Sequence, residues 1–193
     1  MLEPLITTSS TDIQIFYLIN VYMQNPIFDF IMPLISQVGY FSFWIIISIL
    51  IFIFGGEKGR KIALVCITAL VAGYFITEVL KVIVARPRPF EVLEGVRVLV
   101  PTDDYSWPSG HSVASFIAFT IYGLAIGKNY GLLCLFIFVV LIMFSRIYNG
   151  VHYPSDVISG ALIGIFIGLV ALKYENEIID GYKGLGSYLK KKI

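Results

Sequence analysis

An all-α, polytopic membrane bundle is predicted by three observations. The chain is 58% hydrophobic and only 14% charged, and its apolar residues gather in runs close to the length of a bilayer span. Mean hydropathy is +0.85. A soluble domain carries nearer one quarter charged residues, and a spanning helix needs about 20 apolar ones. The 193 residues fit one domain. A net charge of +1 supplies no bulk field for nucleic acid, so no such partner is expected.

The first residues carry Glu3 and no Lys or Arg, and no small-residue cleavage site follows, so no cleavable signal peptide is expected. Between Asp12 and Gln37 the apolar pattern is split at Gln24-Asn25-Pro26 into two pieces, each too short to span. Residues 12–38 are read as an interfacial helix followed by a re-entrant one, with a sixth span as the alternative. Phe41–Phe54 is 14 residues, roughly 21 Å of helix, and is expected to start earlier with a kink near Gly39. Ile62–Val84, Ser112–Ile126, Tyr130–Phe144 and Val157–Leu172 complete five predicted spans. Residues 1–172 form the expected membrane domain, 81–156 its motif-bearing core, and 173–193 an amphipathic, partly disordered cytoplasmic tail. Cys66 and Cys134 both lie in apolar runs and are read as small buried thiols.

Lys and Arg in the loops set the orientation. Lys58, Arg60 and Lys61 share one loop, Lys128 lies in another, and Lys173, Lys183 and Lys190 to Lys192 lie in the tail. Five spans put all of these on one side, the cytoplasmic one. Arg86, Arg88, Arg97, Pro108 to His111 and His152 fall on the other side, against the charge rule. Cationic helix ends at a headgroup layer would explain isolated cases. A concentration in motif residues points to chemistry. The 85–107 connection is the longest between predicted spans, and long loops on a rigid scaffold often cover sites.

Both histidines of the chain sit among these residues. Pro108-Ser109-Gly110-His111 precedes an apolar helix. A Ser cap, a Pro suited to a first turn and free amides make such a helix start an anion site as well as an ordinary cap. His152 precedes a second helix, and Asp156 lies one turn on, where its carboxylate can reach an imidazole nitrogen. That contact would fix the tautomer and sharpen the other nitrogen as a nucleophile; Asp156 can also stabilise the helix start. Arg146 ends the preceding span on the same face. Lys81 and Arg88 offer a point charge and a planar fork to phosphate oxygens. Lys81 can equally snorkel or pair with Glu78, and Arg86 competes with Arg88 for the phosphate role.

Taken together, Lys81-x6-Arg88-Pro89, Pro108-Ser109-Gly110-His111 and Ser145-Arg146-x5-His152-x3-Asp156 resemble the three motifs of the type 2 phosphatidic acid phosphatase family, membrane relatives of the vanadium haloperoxidases. The resemblance favours Arg88 over Arg86. It implies that Lys81, Arg88, Ser109, Gly110 and Arg146 bind the phosphoryl group and that His152 attacks phosphorus to form a phosphohistidine. Asp156 would orient His152, and His111 would protonate the leaving oxygen. No metal and no cofactor are implied. The compact length and the Ala85–Phe90 and Tyr148–Pro154 strings look most like small undecaprenyl-diphosphatase-type members. The implied substrate is a lipid phosphate in the membrane, met on the extracytoplasmic face. A polyprenyl diphosphate comes first, with phosphatidic acid or phosphatidylglycerophosphate as the alternative. A vanadate-dependent oxidant and a non-catalytic lipid-binding protein rank lower.

Overall fold

The computed structural model describes residues 8–127 and 130–190. Glu3, Lys128, Lys191 and Lys192, which entered the expectations on processing and orientation, lie outside them. The described chain has helices as its regular secondary structure, joined by turns and one long irregular loop. It runs through α1 (Ser10–Tyr17), which continues as a π-helical turn over Leu18–Tyr22, then α2 (Pro26–Gln37), α3 (Phe41–Phe54), α4 (Gly56–Val84) and α5 (Pro89–Val92). It closes with α6 (Gly110–Ile126), α7 (Tyr130–Tyr148), α8 (Pro154–Lys173) and α9 (Glu175–Lys190).

All five predicted apolar runs are helices, but they differ in reach. The stretch built on α4, together with α7 and α8, is long and apolar enough to cross a bilayer. The α2–α3 pair makes a fourth span only when its two halves are taken together, and they meet at 58°. The kink falls at Val38–Tyr40, as the shortness of the Phe41–Phe54 run required. Central α6 has 17 residues, about 26 Å, a little short of a hydrocarbon core of about 30 Å. The break at Met23–Asn25 separates the first two helical pieces as expected, and Asn25 caps α2 by accepting from the Phe28 amide at 2.9 Å.

The core centres on α6, which packs most extensively on α8 and also on α4 and α7. Leu70, Val113, Ile117, Ile121 and Ile142 are fully buried there. Small residues allow the α6–α8 approach. A Cβ on Gly164 would stand 2.5 Å from the Val113 carbonyl oxygen, and one on Gly160 would stand 2.7 Å from the Ser109 carbonyl oxygen. In lipid, where water supplies no hydrophobic drive between helices, such close backbone packing is a main source of association. The contact also has a positional result: it sets the start of α6 against the start of α8.

The α2–α3 joint, the 85–109 loop and the α7–α8 joint lie at one end of the bundle. Gly55, Gly127 and Tyr174 turn the chain at the other, where Lys58, Lys61, Leu172 and Glu175 border one cavity. Beyond Lys173 the chain remains helical through Lys190, so the expected partly disordered tail is an ordered helix over that range. It turns back on α4, with Ile179 buried and the Tyr182 hydroxyl 3.0 Å from Thr68 Oγ1. Cys66 is buried, but Cys134 is exposed on α7. An apolar run facing lipid exposes small residues as readily as large ones.

Replacing Gly164 by Leu should separate α6 from α8. The expected outcome is a loss of about 1–3 kcal/mol, read as a lower Tm in detergent and accompanied by loss of activity. A substitution at Gly181, where an added Cβ meets nothing, should change neither.

Candidate active site

Lys81 projects from the last turn of α4, one turn before Ala85 ends the helix in the left-handed region at φ 49°. Pro87 and Pro89 keep the chain out of that helix, and Pro89 opens the short α5, where Glu91 accepts from the Arg88 amide at 2.6 Å. Arg88 is thereby turned inward and buried. Ser109 caps α6, its Oγ accepting from the Ser112 amide at 3.5 Å. Pro108 stands outside the helix, a correction to the expectation that it occupies the first turn. The amides of Gly110 and His111 have no intrahelical acceptors at that position.

Lys81, Arg88, Gly110, His111 and His152 border one cavity of about 170 Å³. Three separate sequence motifs therefore meet at a single place. Tyr40 covers His111, with ring centroids 4.3 Å apart. His111 Nε2 is buried without a protein partner, and so is Arg146 Nε. Arg146 is buried in the last turns of α7, where it donates to the Ser36 hydroxyl. Ser145, its neighbour in the motif, turns back to the Ile142 carbonyl at 2.7 Å and supports the helix.

His152 is fully buried between opposite charges. Its Nδ1 lies 3.5 Å from Asp156 Oδ2, and its Nε2 lies 3.4 Å from Arg88 Nη1. Burial holds its pKa well below the usual value; the Arg88, Arg146 and Lys81 cations push the same way, and Asp104 opposes them. The imidazole is neutral at physiological pH, with Nδ1 toward the carboxylate and Nε2 toward the cationic side. Asp156 also takes the Tyr153 amide at 2.8 Å, so it caps α8 and backs His152 at once.

Arg86 is a different kind of residue from Arg88. It donates to Asp156, to Asp12 at 2.7 Å, and to the Ser155 and Thr8 hydroxyls at 2.8 and 3.1 Å. It serves the carboxylates behind His152 and does not border the cavity. The residues alone left Arg86 and Arg88 in competition, and the family resemblance decided for Arg88; the sequence reading missed Asp12, Ser36, Ser106 and Asp104. Ser106 donates to Asp156. Asp104 pairs with both Lys81 and Arg88. Lys81 also has Glu78 at 3.7 Å, the alternative partner considered from spacing. Asp104 carried one signal, its position in the 85–107 loop expected to cover a site. Asp12 and Ser36 had none, because their partners lie far away in sequence.

The profile of the PAP2 superfamily matches residues 62–180. The chain belongs to the PAP2 superfamily. It is a membrane phosphohydrolase of the phosphoric-ester-cleaving kind. An undecaprenyl-diphosphatase of Sulfolobus acidocaldarius is 34% identical over 167 residues, covering 86% of this chain and 79% of the relative. The undecaprenyl-diphosphatase BcrC of Bacillus subtilis is 32% identical over 153 residues, covering 79% and 77%. The crystal structure of Aquifex aeolicus LpxE superposes with a TM-score of 0.71 at 32% identity, covering 86% of this chain and 97% of that one. The motif residues thus belong to a PAP2 fold along nearly its whole length.

Two outcomes separate the arginines. Arg86→Ala should leave two buried carboxylates without their cation, a loss of about 3–5 kcal/mol visible as a lower Tm. Arg88→Ala should lower Tm by less, because its one carboxylate partner, Asp104, can turn to water, and should lower kcat/KM directly. A second expectation concerns pH. Because His152 is held neutral, the loss of kcat/KM that comes from protonating it should appear, after correction for substrate ionisation, only at pH well below the usual imidazole value. A limb centred at the usual imidazole value would contradict the burial and charge around His152.

Proposed function

We propose that this PAP2 protein hydrolyses a polyprenyl diphosphate to the monophosphate and inorganic phosphate through a phosphohistidine on His152. The observation that carries the mechanism is a neutral His152 set between Asp156 and a group of cations at a cavity bordered by all three motifs. The two undecaprenyl-diphosphatase relatives support the choice of substrate.

In this mechanism the Nε2 lone pair of His152 attacks the terminal phosphorus, and the bond from phosphorus to the bridging oxygen breaks. His111 gives that oxygen its proton. Water then attacks the phosphohistidine, transfers a proton back to His111, and releases orthophosphate. Lys81, Arg88, Arg146, the Ser109 hydroxyl and the Gly110 amide stabilise charge on the equatorial oxygens, the largest contribution available to a phosphoryl transfer. Asp156 carries the developing imidazolium. With this donor set no metal has a role to fill, and among the described residues no group of His, Cys, Asp and Glu is arranged to hold one.

The site lies at the end of the bundle opposite Lys58 and Lys61, so positive-inside orientation puts it on the extracytoplasmic face. Residues 12–38 then lie at the outer headgroup layer as an interfacial and re-entrant segment, and α9 lies on the cytoplasmic side. Exposed Val82 and Ile83 flank Lys81, so a prenyl chain can remain in lipid while its phosphates enter the cavity.

Phosphate release from purified protein tests the substrate. Long-chain polyprenyl diphosphate should give the highest kcat/KM, EDTA should leave it intact, and orthovanadate should compete. A preference for phosphatidic acid or phosphatidylglycerophosphate would overturn the polyprenyl reading. His152→Ala should abolish both turnover and the phosphoenzyme. His111→Ala should cost about 10²–10⁴-fold with the lipid, and much less with an aryl phosphate whose leaving group needs no proton.

A further inference from the structure

We propose that Asp104 is an internal anion that occupies the phosphate-binding cations until a phosphoryl group displaces it, so that its charge sets how readily orthophosphate leaves. This inference rests on the phosphohydrolase reading of the site but not on which lipid is cleaved. One carboxylate spans two cations: Oδ2 meets Lys81 Nζ and Oδ1 meets Arg88 Nη2. These are the two donors that the family pattern assigns to phosphate oxygens, and a carboxylate presents two oxygens to them in the way a phosphate would.

Exposure distinguishes the partners. The side chains of Lys81 and Arg88 are 9% and 2% exposed, whereas that of Asp104 is 40% exposed. The cations are fixed in the wall and the anion stands at the mouth. Asp104 sits in the irregular part of the 85–109 loop, between α5 and α6. Its carboxylate can turn toward water while its main-chain oxygen still accepts from Arg88 Nε at 2.7 Å. Thr102 holds it in place, donating to Oδ1 at 2.7 Å. Burial works against ionisation, but Lys81, Arg88 and Thr102 outweigh it and hold the carboxyl well below the usual range. The group is therefore an anion at any physiological pH.

Phosphate and Asp104 cannot take the same N–H groups, and two anions side by side repel. Every incoming phosphoryl group thus competes with a tethered carboxylate. A lipid phosphate brings a membrane anchor to that competition, and orthophosphate has none. The device penalises the product more than the substrate, and it spares the enzyme from being blocked by the phosphate it makes.

The test is binding of inorganic phosphate to the purified full-length protein in detergent, by calorimetry, with Tm recorded for each variant. Asp104→Asn should bind phosphate about tenfold more tightly and be inhibited by correspondingly less orthovanadate. Its kcat should fall with its KM as phosphate release slows. Thr102→Val, which keeps the charge but frees the carboxylate, should shift phosphate affinity in the same direction by less. Unchanged or weaker phosphate binding in Asp104→Asn would overturn the proposal and leave Asp104 as a group that positions Lys81 and Arg88. If Asp104→Asn does not fold, Thr102→Val decides: unaltered phosphate affinity there overturns it. Because the probe is inorganic phosphate, failure here is distinct from failure of the lipid panel.

Discussion

The buried ion pair of Arg86 with Asp156, extended to Asp12, is the interaction on which the site depends. Arg86 and Asp156 are almost wholly buried, and Asp12 is nearly so. Charges in such a place are tolerated only when paired and hydrogen-bonded. The pairing joins three stretches that share no helix: α1 through Asp12, the 85–109 loop through Arg86 and Ser106, and the start of α8 through Asp156 and Ser155. Fixing Asp156 fixes what lies against it, the His152 imidazole. Arg86 also stacks over the Tyr153 ring at 4.1 Å, so the residue beside His152 is held from the same side.

The ion pair needs a rigid frame, and the α6–α8 contact supplies it. The Ser109 amide donates to the Asp156 carbonyl at 3.1 Å, a bond that exists because Gly160 lets the two helix starts touch. The start of α6 and the start of α8, which follows His152, are therefore one mechanical unit. Gly39 plays a matching part on the opposite wall. A Cβ there would stand 2.8 Å from His111 Cδ2 and 2.6 Å from Ile142 Cγ2. The kink between α2 and α3 thus closes directly on the ring that serves as proton donor in the proposed mechanism, and Tyr40 follows on to cover it.

What the sequence disclosed and what it withheld follow from the range of the interactions. The helices were legible because apolar runs and their breaks are local: Gln24-Asn25-Pro26 marks a real break, and Gly39 marks a real kink. The shortness of α3 was legible too, from a run of 14 residues, whereas α6 extends only to Gly110 beyond its predicted run and stays at 17 residues. The candidate residues were legible as motifs, and Lys81, Arg88, Gly110, His111 and His152 do share a cavity. The partners that tune them were not. Asp12 meets Arg86 across 74 positions, and Ser36 meets Arg146 across 110; no spacing rule reaches that far. The α6–α8 contact was hidden differently. Gly160, Gly164 and Gly168 form a visible four-residue repeat, but only the fold shows which helix it faces.

Three arginines illustrate why residue type alone could not assign the roles. Arg86 faces two buried carboxylates, so its charge is neutralised within the fold, and although its Nε is unpartnered it does not border the cavity. Arg146 meets a serine hydroxyl and keeps an unpartnered Nε; no carboxylate neutralises it, and its positive charge remains felt at His152. Arg88 lies between these cases. It is saturated by the Val151, Asp104 and Tyr105 carbonyl oxygens and by one carboxylate that is itself partly in water. The carbonyls orient the guanidinium without cancelling its charge, and the carboxylate cancels it reversibly. The number of anions each arginine faces, and how firmly those anions are buried, therefore separates a structural cation from a constant electrostatic one and from one whose charge is available on demand.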